Sequence, residues 1–160
     1  MINECIKSDT SKILHVINDA SLKYKGIIPD NCWHEPYMSK QELIDEFNDG
    51  VCMYGYHHNN KLIGVIGVQE VKNVILIRHA YTLTPYQGKG TGSALLEYLL
   101  KKNQNFRLLV GTWRNAVWAI RFYEKFGFIL HTKEETTLLL KKYWNIPTKQ
   151  IENSVVLERY

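Results

Sequence analysis

One stretch limits the possible folds more than any other. It runs from Leu83 to Leu100: Leu-Thr-Pro-Tyr-Gln-Gly-Lys-Gly-Thr-Gly-Ser-Ala-Leu-Leu-Glu-Tyr-Leu-Leu. It reads as the end of a strand, a glycine-rich turn and a helix. Ahead of it, Val74-Ile75-Leu76-Ile77 is apolar enough for a buried strand. Pro85 stops that strand, because it cannot donate to a ladder and fixes its own φ. The turn carries Gly88, Gly90 and Gly92, which expose backbone N–H groups without Cβ obstruction. Leu95, Leu96, Leu99 and Leu100 make one broad face of the following helix. A helix start bare of side chains attracts phosphate, since free donors point outward and the dipole favours negative charge. Lys89 adds a mobile cation there.

By itself such a turn is equally open to a plain connection with no ligand. Two familiar phosphate motifs are excluded. The NTPase loop needs Gly-x-x-x-x-Gly-Lys-Ser/Thr, and Lys89 lies between glycines. The dinucleotide fingerprint needs Gly-x-Gly-x-x-Gly, and these glycines are spaced too evenly. What fits is Gln-x-x-Gly-x-Gly, from Gln87 through Gly92.

The 160 residues are expected to form one domain, 1–160, with a proper core. Hydrophobic residues at 45% and charged residues at 22% are ordinary for a globular protein. No apolar run is long enough to span a membrane, and the first residues lack the regions of a signal peptide. Cys5, Cys32 and Cys52 are odd in number and follow no metal-ligand spacing, so reduced thiols in a cytoplasmic protein are expected, with no metal. The net charge of +4 suits an anionic ligand, but the lysines are scattered and give no dense tract for nucleic acid.

In order, Cys5-Ile6-Lys7 reads as a first strand. Ser8 or Asp9 caps a helix to about Tyr24, with Ile13, Leu14, Ile17 and Leu22 inward. The irregular stretch from Gly26 to Tyr37 holds Trp33, His34, Glu35 and Tyr37. These aromatics and one carboxylate suit an amine pocket, or else Trp33 and Tyr37 plug the core. Ser39-x-x-Glu42 is a capping box opening a helix to about Asn48. Three strands follow, Val51 to His57, Leu62 to Glu70 and Val74 to Leu83, an antiparallel meander. After the central helix, Phe106 to Val110 is a strand reached by a parallel crossover. Asn115 stands where an N-cap belongs, before a helix from Ala116 to Phe126, and Gly127 where that helix stops. Phe128 to His131 is a strand. Thr132-x-x-Glu135 opens a helix to about Trp144, Pro147 breaks it, and Asn153 to Glu158 closes the chain. The apolar Val155, Val156 and Leu157 suit pairing across a homodimer.

Two segments now coincide. Gln87-Gly88-Lys89-Gly90-Thr91-Gly92 starts one helix. Asn115-Ala116-x-x-Ala119-Ile120-x-Phe122-Tyr123-x-x-Phe126-Gly127-Phe128 follows after one strand. Together they resemble the two signature segments of the GNAT superfamily of acetyl-CoA-dependent N-acetyltransferases, and the element order agrees over nearly the whole chain. The resemblance implies an α+β (α/β) fold: a mixed, mostly antiparallel sheet flanked by helices, with a splayed strand pair holding the cofactor. The helix between His131 and Pro147 departs from the simplest family plan; it shapes the acceptor site or covers the sheet edge.

What the resemblance implies for chemistry is transfer of an acetyl group from acetyl-CoA to a primary amine, by direct attack. It assigns the backbone of Leu83 to the pantetheine and acetyl end, with a backbone N–H near it to polarise the carbonyl. It assigns Gln87, Gly88, Lys89, Gly90, Thr91, Gly92 and Ser93 to the pyrophosphate, mostly through main-chain N–H groups. Asn115, Ala119, Phe122 and Tyr123 also fall to the cofactor. Tyr123 matches the family's helix tyrosine, which protonates the departing thiolate. For the base, strand alternation sets Ile77, His79, Tyr81 and Leu83 on one side and Arg78, Ala80 and Thr82 on the other. His79 then shares the side of Leu83, and its imidazole titrates near working pH; a packed histidine is the plainer reading. Glu70 is the alternative base, His34 and Glu35 weaker ones. Trp33, Glu35 and Tyr37 are the acceptor candidates. A small-molecule amine leads as acceptor, against a protein N-terminus or lysine, a non-catalytic acyl-CoA-binding module, or a nucleotide-binding domain.

Overall fold

The computed structural model describes residues 1–160. Its strands are β1 (Ile2–Glu4), β2 (Cys52–His58), β3 (Lys61–Val71), β4 (Val74–Thr82), β5 (Arg107–Trp113), β6 (Ile129–Leu130) and β7 (Ser154–Arg159). Its helices are α1 (Thr10–Ala20), α2 (Lys40–Asn48), α3 (Thr91–Lys102), α4 (Val117–Lys125), α5 (Lys133–Tyr143) and α6 (Thr148–Glu152). The seven strands form one mixed, mostly antiparallel sheet in the order β1-β2-β3-β4-β5-β7-β6. Helices flank it, so the class is α+β as expected. The chain divides into two compact units of three segments each.

The first unit comprises Met1–Lys23, His34–Glu70 and Ile77–Gln104. Ile13, Val16, Ile17 and Ala20 recur at helical spacing, and all are buried on one face of α1. Ile13, Val16 and Ile17 join Leu43 of α2 and Met53, Ile63 and Val65 of the strands in one apolar cluster. The side chain of Asn18 accepts from the Met38 N–H at 2.8 Å and donates to the Met38 carbonyl at 2.9 Å, tying α1 to the entry of α2. The capping box forms as read: Ser39 Oγ accepts from the Glu42 N–H at 3.1 Å, and the Glu42 carboxylate accepts from the Ser39 N–H at 2.8 Å.

Three expectations fail here. The first strand lies at Ile2–Glu4 rather than Cys5 to Lys7. The Asp9 carboxylate accepts from the Ile6 N–H at 2.9 Å and bends the chain into a 3-10 turn instead. Asp9 therefore gives no side-chain cap to α1. Leu22 lies in a further 3-10 turn, Ser21–Tyr24, and is exposed.

The second unit comprises Tyr24–Trp33, Val71–Leu76 and Asn105–Tyr160. Val74, Leu76, Leu109 and Val156 pack with Leu140 and Tyr143 of α5. The second capping box also forms, Thr132 Oγ1 accepting from the Glu135 N–H at 3.2 Å. Thr136 Oγ1 accepts the Val156 N–H at 3.3 Å, so α5 is bonded to β7 as well as packed on it. This helix covers the sheet face around β5 and β7. After Pro147 the chain forms α6, a short helix the sequence reading omitted.

Strand β7 pairs antiparallel with both β5 and β6. β5 pairs along the whole of β7, while β6 pairs only with Leu157 and Glu158 and the His131 N–H bonds to the Val156 carbonyl. The edge expected to meet a second copy is thus already used at Val156 and Leu157.

Candidate functional site

In the first unit, the end of β4 leads through a 3-10 turn, Thr84–Tyr86, into the glycine-rich loop. Leu83 is buried there; its N–H donates to the Ile63 carbonyl and its carbonyl accepts from the Tyr86 N–H, both at 2.8 Å. A main-chain donor for a substrate carbonyl must therefore come from a neighbour of Leu83. The Gln87 side chain donates to the Thr82 carbonyl at 3.0 Å. It braces the loop against the strand that it leaves.

Gly88 and Gly90 adopt φ of +72° and +88°, and a Cβ built on either meets no atom within 4 Å. Glycine is needed there for conformation, and the space beyond the loop is open. Gly90 precedes α3 with no side-chain cap, and the first helical bond runs from Ala94 N–H to Gly90 O at 2.9 Å. The amides of Thr91, Gly92 and Ser93 lie ahead of that bond, with donors free of the helix ladder. Gly64 lets this helix start press onto β3: a Cβ on it would lie 2.8 Å from Thr91 Cγ2. The Lys89 and Lys61 ammonium groups lie 5.9 and 5.8 Å from the centre of the Tyr86 ring. An uncapped helix start, an open loop and two cations fit a diphosphate.

Strand alternation breaks at His79. Its φ is +54°, a left-handed value rare outside glycine. Arg78 and His79 consequently reach the same group instead of opposite faces. Arg78 Nη2 donates to Glu46 Oε1 at 2.9 Å, and His79 Nε2 bonds to Glu46 Oε2. Burial pushes the Glu46 carboxyl up, but the bond from His79 and the charges of His79 and Arg78 outweigh it, so it lies below its ordinary value. Arg78 Nη1 also donates to Gln69 Oε1 at 2.8 Å, and Gln69 Nε2 to the Asp49 carbonyl at 3.0 Å.

Aromatic rings continue from there. His79 stacks with Tyr81 at 6.4 Å, Tyr81 meets Tyr37 edge-on at 6.4 Å, and Tyr37 stacks with His34 at 6.1 Å. Two expected residues, His79 and Tyr37, are thus joined through Tyr81. Glu70 is exposed near the end of β3. Glu35 and Tyr37 belong to this unit, Trp33 to the other. Sequence reasoning missed Glu46, Arg78 and Tyr81 as site residues. Glu46 carried no signal, being one of several acids on a polar helix. Tyr81 had one, its shared parity with His79.

In the second unit, Asn115 is exposed and does not cap α4. The helix starts one residue later, with Ala116 in the N-cap place and no side-chain cap. Ala116 and Ala119 are buried. The Tyr123 ring is buried, stacked on Phe122 at 5.2 Å and edge-on to Phe128 at 5.6 Å. No fully buried polar side-chain atom in the chain lacks a hydrogen-bond partner. Burial, and to a lesser degree the neighbouring Tyr24, raises the Tyr123 phenol above its ordinary value of 10.0. It stays a protonated donor throughout the working range.

A cysteine nucleophile finds no support at Cys5. Burial, followed by the Asp9 carboxylate and two further neighbours, pushes that thiol up to about 12. All three cysteines are free.

The family described as the acetyltransferase (GNAT) domain matches residues 18–137. Among solved structures, the chain resembles a PaiA N-acetyltransferase from Thermoplasma acidophilum in complex with coenzyme A. The identity is 21%, the TM-score 0.71, and the match covers 99% of this chain and 97% of that one. It also resembles a GNAT-family acetyltransferase from Staphylococcus aureus Mu50, at 18% identity and TM-score 0.74, covering 99% and 97%. A ribosomal-protein-alanine N-acetyltransferase from Brucella melitensis matches at 14% identity and TM-score 0.69, covering 99% and 98%. These likenesses bear on the fold. No curated protein matches the chain.

Proposed function

Because the chain belongs to the GNAT acetyltransferase family and is an N-acetyltransferase of it, we propose that it acetylates a primary amine of a small molecule, with acetyl-CoA as donor. One observation carries the reading: α3 begins at an uncapped, left-handed Gly90 with open space beyond it, where a diphosphate would be held. The main-chain amides from Gly88 to Ser93 would hold it, with Lys89 beside them. Asn115, Ala119 and Phe122 are assigned to the pantetheine arm by family motif alone. When bound, acetyl-CoA supplies a thioester carbonyl to the amine. His79 takes the proton that the amine must lose, and Tyr123 gives one to the departing sulfur. We take the whole of 1–160 as one catalytic domain, since the segments of its two units alternate along the chain.

The aromatic run His34, Tyr37, Tyr81 and His79 supports a cationic acceptor, because ring faces attract ammonium groups. A protein acceptor is the second reading, favoured by what the name of the Brucella relative says of that protein. The test is thiol release from acetyl-CoA with a panel of small amines and of peptides with free N-termini or lysines. Release with small amines supports the proposal; release with peptides only moves it to the second reading. Tight CoA binding with no release across the panel points to an acyl-CoA-binding module.

A further inference from the structure

We infer that Glu46 is the positioning residue of His79: it accepts the Nε2–H and leaves the lone pair of the neutral ring on Nδ1, the atom that takes the amine proton. This rests on His79 acting as the base.

The argument begins with the backbone. A non-glycine residue at φ +54° in the middle of a strand is strained and persists only when its surroundings hold it. What holds it here is one carboxylate from another element, bonded to two consecutive side chains of β4. The ring is mostly enclosed, at 13% side-chain exposure, and Glu46 at 20%. A histidine merely filling a core would not need a turned backbone and a carboxylate at its Nε2 edge. A base does need its orientation and tautomer fixed, and a second group bonded to one nitrogen does both.

Arg78 sets the strength of the pair. It neutralises Glu46 through Oε1, so the imidazole faces a carboxylate already partly satisfied. Both oxygens of Glu46 are thus taken, one by Arg78 and one by the ring. The proton then moves from the acceptor ammonium to Nδ1, directly or through one water, while Nε2–H stays on Glu46. The product of that step is a free amine and an imidazolium between amine and carboxylate. The titratable and charged groups around the ring are Glu46 from α2, Arg78 and Tyr81 on β4, and Tyr37 behind Tyr81; Gln69 of β3, which fixes Arg78, is neutral.

Ring ¹⁵N spectra of the full chain report the tautomer without any acceptor. The neutral His79 ring should carry its proton on Nε2; a proton on Nδ1 overturns the inference. Glu46→Gln should move the acidic limb of thiol release with the most active panel amine to lower pH. Its kcat should fall by roughly 10- to 100-fold, a part of what a positioned base contributes, with KM for acetyl-CoA unchanged. Glu46→Asp should restore part of the loss. If Glu46→Gln leaves limb and kcat alone while His79→Ala abolishes the limb, His79 is the base and Glu46 only a strut. If His79→Ala keeps the limb, the base assignment itself fails. Where Glu46→Gln does not fold, the wild-type tautomer and Glu46→Asp decide the matter.

Discussion

Two single residues carry the sharpest expectations. Tyr123→Phe removes a hydroxyl but keeps the stacking on Phe122 and Phe128, so the fold should stand. Thiol release should drop by roughly 100-fold or more, while the CoA dissociation constant measured by calorimetry stays put. Because its phenol is raised above 10.0, wild-type activity should show no alkaline limb from Tyr123 below that pH. Gly90→Ala tests the loop. A Cβ there has room, but φ of +88° disfavours it by about 1–2 kcal/mol. The expected result is a lowered melting temperature together with weaker CoA binding; unchanged binding would detach the loop from the diphosphate. At this scale the sequence was partly legible. Glycines at Gly88 and Gly90 announced a turn because few residues tolerate those angles. The left-handed His79 did not, since nothing in a local sequence forces a histidine there; only the carboxylate of Glu46, 33 residues away in the chain, does.

Elements were read best where local chemistry decides them. Both capping boxes form, because Ser39 with Glu42 and Thr132 with Glu135 satisfy donors within one turn of their own helix. Thr132→Ala should accordingly lower stability by roughly 1 kcal/mol in urea unfolding and leave thiol release unchanged. Helix α5 is also anchored by Leu140, fully buried against Val74, Leu76, Leu109 and Val156. Leu140→Ala should cost about 2–5 kcal/mol, far more than the lost cap, which would mark α5 as part of the core rather than an appendage. A loss below 1 kcal/mol would contradict that. Elements were misread at ends that a distant or competing bond sets. Asp9 spends its carboxylate on the Ile6 N–H, so the expected cap and first strand are displaced. Asn115 leaves the cap place to Ala116.

Across the molecule, two buried-edge carboxylates link stability to pH. The Arg107 guanidinium forks onto Glu158 at 2.5 and 2.9 Å, and this bond, opposed by burial and aided by His131, holds that carboxyl below its ordinary value of 4.5. Glu46 is lowered likewise, its bonds and charges outweighing burial. Folded values below the unfolded one stabilise above about pH 4.5, and the contribution is lost as pH falls through the folded values. The urea midpoint should therefore hold between about pH 7 and 5 and fall below that, and Glu158→Gln should blunt the fall. The sequence by itself determined the meander, the glycine-rich turn before α3 and both capped helices, since each depends on periodicity or on bonds spanning a few residues, and the family resemblance of its two segments implied the α+β class. Only the tertiary structure decided that β7 enters between β5 and β6, that Arg78 and His79 turn to one carboxylate, and that Leu83 N–H is already used by Ile63. Those are pairings between groups far apart in the chain, and their energies depend on which partners folding brings within bonding distance.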